Sequence, residues 1–314
     1  MSTGFGDRLA QAVRRAGNPV VVGLDPRIDQ LPKAILGERV LADPREACEA
    51  IRSFCLEVLA VVAELVPAVK IQCAFFERWG PHGMAALDQV ITAAKNRGLL
   101  VLIDGKRGDI GPTAAAYAEG YLGSGGLSIW GGDALTVHPY LGGDTLEPFV
   151  DVAQARNAGV FVLVKTSNPG STMFQDLICE GLPLYRHVAA WVQSRAEATR
   201  GESGYGIVGA VVGATYPQQL AELRQAMPNA WILIPGYGAQ GATAKDVAAG
   251  FAEDGLGALV NNSRGIIFAY KSSRYEDFEA FGRWQDAVRQ ATLGMIQELR
   301  THTPAGKLRA GSSP

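Results

Sequence analysis

Three charged residues, Asp104, Lys106 and Asp109, follow a run of five apolar residues that begins at Leu99. An apolar run of this length is typical of a strand buried on both faces. Charges at the end of such a strand are costly unless they are paired or used in chemistry. Asp104 and Lys106 point to the same face of an extended chain, and Asp109 lies on the next loop or first helical turn. The spacing therefore predicts an anion, a cation and an anion around one spot, which suits charge stabilisation and proton transfer.

The elements that must position these residues alternate along the chain. Apolar segments are separated by amphipathic, helix-like stretches, which implies parallel strands. Eight such units predict an α/β fold, a (β/α)8 TIM barrel. A doubly wound open sheet is the alternative, but it needs a switch point and usually has fewer strands. The candidate strands are residues 19–24, 66–71, 99–103, 134–137, 160–164, 207–212, 231–234 and 257–260.

The predicted domain organisation is a single barrel over residues 1–300 with an amphipathic N-terminal helix. Two insertions, residues 26–44 and 171–183, account for much of the extra length. Residues 301–314 are rich in Pro, Gly, Ser and Thr, which predicts a flexible tail.

Polar residues also follow the other candidate strands. Asp25, His138 and Lys165 stand at or just after strand ends, and Lys70 lies inside the second strand. A lone Asp after a strand more often caps a helix than forms a site. The carboxyl ends of barrel strands meet at one rim, however, where active sites of this architecture lie. Polar groups at most of these ends favour a site there.

The last two candidate strands are followed by residues suited to bind an anion. Gly236, Gly238 and Gly241 allow backbone N–H groups to approach an anion closely, and Arg264 offers a bidentate cation. Barrels often bind phosphate with these two loops. The combination predicts a phosphorylated small-molecule substrate.

Composition excludes several other classes of function. The chain has 314 residues and a formal net charge of -2, so no global positive field recruits nucleic acid. No apolar stretch has membrane-spanning length, and the N-terminus lacks the apolar core of a signal peptide. The four cysteines form no CxxC pair and no zinc-like cluster. We expect a cytoplasmic protein with reduced thiols, no metal, and no membrane or nucleic-acid partner.

Residues 104–110, Asp-Gly-Lys-Arg-Gly-Asp-Ile, fit the Asp-x-Lys-x-x-Asp motif of the orotidine 5'-phosphate decarboxylase family. Residues 22–26, 70–77, 137–142, 165–170, 235–241 and 263–264 also resemble that family, in its longer bacterial (type 2) branch, and in the same order. The resemblance implies cofactor-independent decarboxylation of orotidine 5'-monophosphate to uridine 5'-monophosphate and CO2, the last step of pyrimidine (UMP) biosynthesis. It also implies a homodimer with shared active sites.

The resemblance assigns a role to each matching residue. Lys70, Asp104, Lys106 and Asp109 would form an alternating charge network, with Asp109 given to the neighbouring subunit's site. The implied substrate-binding residues are Asp25 for a ribose hydroxyl, Thr113 near Asp109, Ser167 for the pyrimidine ring, and Gln240, Arg264 and the Gly238 turn for the phosphate. No cofactor or metal is implied.

Three other functions fit parts of the pattern. Sugar-phosphate relatives, such as 3-keto-gulonate 6-phosphate decarboxylase or hexulose phosphate synthase, share the motif but use magnesium and an acidic second-strand ligand, where this chain has Lys70. A Schiff-base aldolase would use Lys165 or Lys70. A non-catalytic phosphosugar-binding protein would bind the nucleotide without turnover. His138 and Lys165 are better explained by packing and by an ion pair than by catalysis.

Overall fold

Eight parallel strands close into a barrel in the computed structural model, which describes residues 4–123, 126–238, 241–275, 277–278 and 281–308. The barrel strands are β1 (Val20–Leu24), β2 (Ala68–Gln72), β3 (Leu100–Arg107), β4 (Ala134–Val137), β5 (Gly159–Lys165), β8 (Val208–Val212), β9 (Ile232–Ile234) and β10 (Ala258–Asn262). Around the barrel the order is β1-β10-β9-β8-β5-β4-β3-β2. Each predicted segment overlaps one of these strands, and the predicted (β/α)8 fold is confirmed.

Helices surround the barrel and connect its strands. They are α1 (Phe5–Ala16), α2 (Lys33–Leu36), α3 (Pro44–Val62), α4 (Ala74–Glu77), α5 (Gly80–Asn96), α6 (Gly111–Tyr121), α7 (Gly143–Ala155), α8 (Thr172–Gln175), α9 (Leu184–Ala198), α10 (Pro217–Ala226), α11 (Ala244–Val247), α12 (Arg264–Ile267) and α13 (Trp284–His302). The start of α3 shows why such elements form here. The Asp43 side chain accepts a hydrogen bond from the Arg45 N–H, and Pro44 occupies the first turn. Among the described residues, no helix combines the length and apolar character needed to cross a bilayer.

Helix α1 covers the amino-terminal end of the barrel. Phe5 and Leu9 are buried there, and the Trp231 indole N–H donates to the Gly6 carbonyl at 3.3 Å. Arg8 pairs at 2.9 Å with Asp133, a buried residue just before β4. Because this end is plugged, the opposite rim, where the strands end, is the one available for a ligand.

The two predicted insertions lie at that opposite rim. Residues 26–44 contain a single 3-10 turn (Ile28–Gln30) and α2. Residues 171–183 contain α8 and an antiparallel hairpin of β6 (Ile178–Cys179) and β7 (Leu182–Pro183). Both insertions lie in the connection that follows a barrel strand, β1 for the first and β5 for the second, so they can form walls above the strand ends.

The predicted flexible tail is wrong for residues 301–308. Helix α13 extends to His302, and Pro304–Lys307 form a 3-10 turn whose Ala305 is fully buried. Thr303 caps this turn, and Lys307 Nζ donates to the Glu253 carbonyl at 2.6 Å. These bonds hold a segment whose composition alone indicates disorder. Residues 309–314 lie outside the described residues.

Candidate active site

A cavity of about 520 Å³ opens where the barrel strands end, and side chains from all eight barrel strands or the loops after them line it. The predicted site residues that line this cavity are Asp25, Lys70, Asp104, Lys106, Ser167 and Arg264. The structure therefore brings together residues from opposite ends of the chain at the rim that the sequence predicted.

Asp104 is the centre of a hydrogen-bonded charge network. Lys106 Nζ lies 2.6 Å from Asp104 Oδ1, and Lys70 Nζ lies 2.7 Å from Asp104 Oδ2. Thr136 Oγ1 donates to Oδ1 at 2.9 Å, and Gln72 Nε2 donates to Oδ2 at 3.0 Å. Both oxygens of this buried carboxylate are thus fully occupied. The network holds one carboxylate between two ammonium groups.

The two lysines of this network have different surroundings. Lys70 is buried, and its Nζ also lies 3.7 Å from Asp25 Oδ1. The Lys106 side chain is 46% exposed and faces the cavity. Of these two lysines, Lys106 is therefore the one more accessible to a ligand, while Lys70 is buried against Asp104 at the cavity wall.

The backbone around Lys106 departs from a regular strand. The pairing of β3 with β4 shifts register between Ile103 and Arg107, and Lys106 has a left-handed φ of 45°. Its N–H donates to Thr136 Oγ1 at 2.9 Å. A non-glycine residue in this conformation costs roughly 1–2 kcal/mol, which the surrounding bonds must offset. The bulge, rather than simple alternation along an extended strand, brings the Lys106 ammonium onto Asp104.

The charges of Asp104 and Lys70 reinforce each other. Burial by itself would raise the pKa of Asp104, but the positive charges of Lys70 and Lys106 outweigh burial and hold this pKa below its ordinary 3.8. Burial would likewise lower the pKa of Lys70, but Asp104 and Asp25 outweigh it and raise this pKa above its ordinary 10.5. Both groups are therefore charged throughout the neutral range.

This electrostatic balance predicts how stability depends on pH. Asp104, whose pKa is lowered, contributes fully to the free energy of unfolding above pH 3.8, and this contribution is lost only as the pH falls further. That of Lys70, whose pKa is raised, is complete below 10.5 and is lost only as the pH rises further. We expect the difference in unfolding free energy between wild type and the double variant Lys70→Met/Asp104→Asn, which lacks both titrating groups, to stay constant from about pH 6 to 9. Denaturant unfolding at several pH values measures it, and a slope in that window would contradict the assigned charges.

Several cavity-lining oxygens lack a hydrogen-bond partner. Within the described part of the chain, these buried atoms are Asp25 Oδ1, Asn261 Oδ1 and Ser263 Oγ. A buried polar atom without a hydrogen bond costs roughly 1–3 kcal/mol. Their common position at the ends of β1 and β10 indicates a place where a polar ligand group completes the bonding.

Other predicted residues lie away from this cavity. Asp109 is half-buried and accepts a hydrogen bond from the Ile110 N–H at 2.7 Å, and Thr113 is exposed on α6. Neither is among the residues that line the cavity. Gly238 lies just beyond the lining residues Gly236 and Tyr237 in a turn with a φ of 70°, and its N–H donates to the Ala242 carbonyl at 2.8 Å. Gln240 lies outside the described residues.

His138 and Lys165 occupy the structural positions that the sequence favoured. His138 packs against Gly108, where an added Cβ would lie 2.2 Å from the imidazole Nε2. Lys165 is buried, and its Nζ lies 2.5 Å from Asp176 Oδ1. An ammonium held in this way is a poor candidate for Schiff-base chemistry.

Sequence reasoning assigned no role to three residues that shape the site. Gln72 stands two residues after Lys70 on the same strand, a spacing that could have placed it on the same face. Thr136 lies inside an apolar strand, and its hydroxyl needs a partner there. Gln175 comes from the second insertion, and no local pattern marks it as a cavity residue.

A closed parallel barrel with a cavity and a charge network at the carboxyl ends of its strands has the architecture of the β/α-barrel enzymes. A family model described as orotidine 5'-phosphate decarboxylase / HUMPS family matches residues 18–275. The chain belongs to this family, as its motifs predicted.

Named relatives cover nearly the whole chain. The orotidine 5'-phosphate decarboxylase of Rhodopirellula baltica is 51% identical over 94% of this chain and 99% of its own length. That of Deinococcus radiodurans is 43% identical over 95% of this chain and 98% of its own. The structure of Leishmania donovani OMP decarboxylase is 32% identical, with a TM-score of 0.72 over 95% of this chain and 98% of that one.

Proposed function

We propose that this chain decarboxylates orotidine 5'-monophosphate to uridine 5'-monophosphate and CO2 without a cofactor. The observation that carries the proposal is the Lys70–Asp104–Lys106 network at the wall of the cavity, with Lys106 as its accessible cation. Curated relatives of this chain bear the name of that activity. Incubation with orotidine 5'-monophosphate should yield uridine 5'-monophosphate and CO2 in equal amounts, whereas binding without turnover would overturn the proposal.

The chemistry requires a fixed positive charge beside one carbon atom. When the bond from C6 to the carboxylate breaks, the electron pair stays on C6 in the plane of the ring, where the π-system delocalises it poorly. The Lys106 ammonium would stabilise this pair and then transfer a proton to C6, leaving a neutral amine that solvent reprotonates. A positioned charge of this kind is commonly the largest single catalytic contribution.

Asp104 would act mainly by orienting the Lys106 ammonium. Both of its oxygens already accept hydrogen bonds from the two lysines, Thr136 and Gln72. Repulsion between Asp104 and the substrate carboxylate would be a second contribution, relieved as CO2 leaves. The observed bonding favours the orienting role.

The opposite end of the cavity would hold the ribose phosphate. Arg264 and the Gly236–Tyr237 turn line it, and Arg264 is exposed for contact with a ligand. Asp25 would bind a ribose hydroxyl, because its Oδ1 has no hydrogen-bond partner and lies 3.7 Å from Lys70 Nζ. Binding energy gained at the phosphate, far from C6, would help to close and order the site.

Arg264→Ala tests the phosphate assignment. We expect kcat/KM for orotidine 5'-monophosphate to fall by about 100-fold or more, since a charge-assisted phosphate contact is lost. Decarboxylation of orotidine, which lacks the phosphate, should change by less than about threefold. Arg97→Ala, at an exposed arginine after α5, serves as the control. Equal losses on both substrates would contradict the assignment.

We also propose a homodimer in which Asp109 enters the partner's site. Asp109 and Thr113 lie outside the cavity of their own chain. Large apolar side chains nearby are exposed, with Ile110 at 63%, Ile129 at 81% and Tyr140 at 81%. Exposed apolar groups of this size commonly mark an interface.

We propose that the protein works in the cytoplasm. All four cysteines are free, and Cys48, Cys55 and Cys73 are buried. Burial raises the pKa of the Cys73 thiol to about 11, so this thiol stays protonated and unreactive beside the charge network. Such cysteines suit a reducing compartment.

A further inference from the structure

An ion pair made by a buried lysine anchors the second insertion to the barrel. Lys165 is the last residue of β5, its side chain is 1% exposed, and its Nζ lies 2.5 Å from Asp176 Oδ1. The rings of Tyr185 and Tyr216 flank the ammonium, with centroids 5.6 and 5.3 Å away. Charge taken out of water in this way is costly unless it is well paired. The contact therefore fixes where the residues after α8 can lie.

The residue next to this anchor forms part of the cavity wall. Gln175 lines the cavity, its Oε1 accepts from the Thr166 N–H at 2.9 Å, and its Nε2 donates to Thr166 Oγ1 at 2.8 Å. Gln175 therefore bonds to Thr166, and the next residue, Asp176, bonds to Lys165, the residue before Thr166. These two adjacent contacts tie the residues at the end of α8 to the end of β5. Ser167, the residue after Thr166, also lines the cavity.

The barrel order indicates which part of a substrate meets this wall. β5 is separated by one strand from β3, which carries Lys106, and by two strands from β10, which leads to Arg264. If the proposed function holds, C6 of the pyrimidine lies at Lys106 and the phosphate lies at Arg264. The wall after β5 then faces the base end of the nucleotide more closely than the phosphate end.

We propose that Lys165 is a positioning residue for base recognition, which it supports by holding Gln175 at the cavity wall through Asp176. Lys165 itself does not touch the substrate. The inference rests on the proposed function for the identity of the ligand, while the anchor itself rests on the observed contacts alone.

The experiment compares two ligands and one matched control. The variants are Lys165→Met and Asp176→Asn, and the control is Arg195→Met, which removes an ion pair with Glu147 between α9 and α7. Calorimetry measures the affinity for uridine 5'-monophosphate and for ribose 5-phosphate, which has no base. We expect the first to weaken about tenfold or more in both variants and the second to change less than about twofold. The control should change neither, and Lys165→Arg should restore most of the nucleotide affinity.

Hydrogen exchange of the free proteins tests the anchor without any ligand. In Lys165→Met the amide of Thr166 should exchange faster than in wild type, because its acceptor on Gln175 is no longer held. Combining Lys165→Met with Gln175→Ala should weaken nucleotide binding less than the sum of the single effects. If Lys165→Met does not fold, Asp176→Asn, whose side chain is 32% exposed, answers the same question.

The outcomes separate this inference from the proposed function. Failure of the wild type to bind uridine 5'-monophosphate would overturn the proposed function. Two results would overturn the role of Lys165 alone, provided that the wild type binds uridine 5'-monophosphate normally. One is an equal loss of affinity for both ligands in the variants, and the other is an unchanged exchange rate of the Thr166 amide.

Discussion

Lys106→Ala is expected to lower kcat for orotidine 5'-monophosphate by at least about a thousand-fold. Two contributions are lost together. One is the charge beside C6, because two unit charges about 4 Å apart interact by about 4 kcal/mol at an effective dielectric constant of 20. The other is the proton donor, which contributes about 10²- to 10⁴-fold in general acid catalysis. The change in absorbance as substrate is consumed gives the rate.

The fold should survive this substitution. Asp104 keeps its bonds to Lys70, Thr136 and Gln72 when Lys106 is removed, so no buried carboxylate is left unpaired. Lys307→Ala, which removes a lysine packed near Glu253 before β10, is the matched control and should retain full activity. A Lys106→Ala protein that keeps its thermal stability and more than a tenth of the wild-type kcat would contradict the role given to Lys106.

A hybrid dimer of Lys106→Ala and Asp109→Ala chains is expected to regain about half of the wild-type activity, because one of its two sites is intact. Each homodimer should be nearly inactive, with Asp109→Ala reduced about 100-fold or more. In the hybrid, the Asp109→Ala chain supplies Lys106 and its partner supplies Asp109, so one site has both groups. The chains carry different affinity tags, and the doubly purified hybrid is assayed.

The hybrid experiment separates a shared site from a local one. If Asp109 acted in its own chain's cavity, each site of the hybrid would lack one group, and no activity would return. A double variant carrying both substitutions, paired with a wild-type chain, is the control. It should show almost no activity, since each site of that dimer lacks one of the two groups.

The barrel could be predicted because its strands are buried on both faces. Each is a short apolar run between amphipathic helices, as in residues 99–103 and 160–164, so hydropathy alone locates it. The N-terminal helix was equally visible and became Phe5–Ala16. The ordered residues 301–308 were missed because their order comes from tertiary contacts such as that of Lys307 with Glu253, which local composition does not contain.

The position of a candidate site residue could be predicted where a charged residue lies at or just after the end of an apolar strand. Asp25, Lys70, Asp104 and Arg264 lie around one cavity because parallel strands end at one rim. The bulge that turns Lys106 onto Asp104 depends on the register of β3 against β4, which no single segment encodes. Gln175 was missed for a similar reason, since its position depends on the anchor between Lys165 and Asp176.

We propose that this protein removes CO2 from orotidine 5'-monophosphate with charged side chains and without a metal. The test treats the wild-type protein with EDTA and keeps EDTA in the assay. The loss of orotidine 5'-monophosphate absorbance then measures the rate of decarboxylation. We expect an undiminished rate that Lys106→Ala abolishes. Absence of turnover by the wild type, or activity that EDTA removes and magnesium restores, would contradict the claim and favour a magnesium-dependent sugar-phosphate enzyme of the same family.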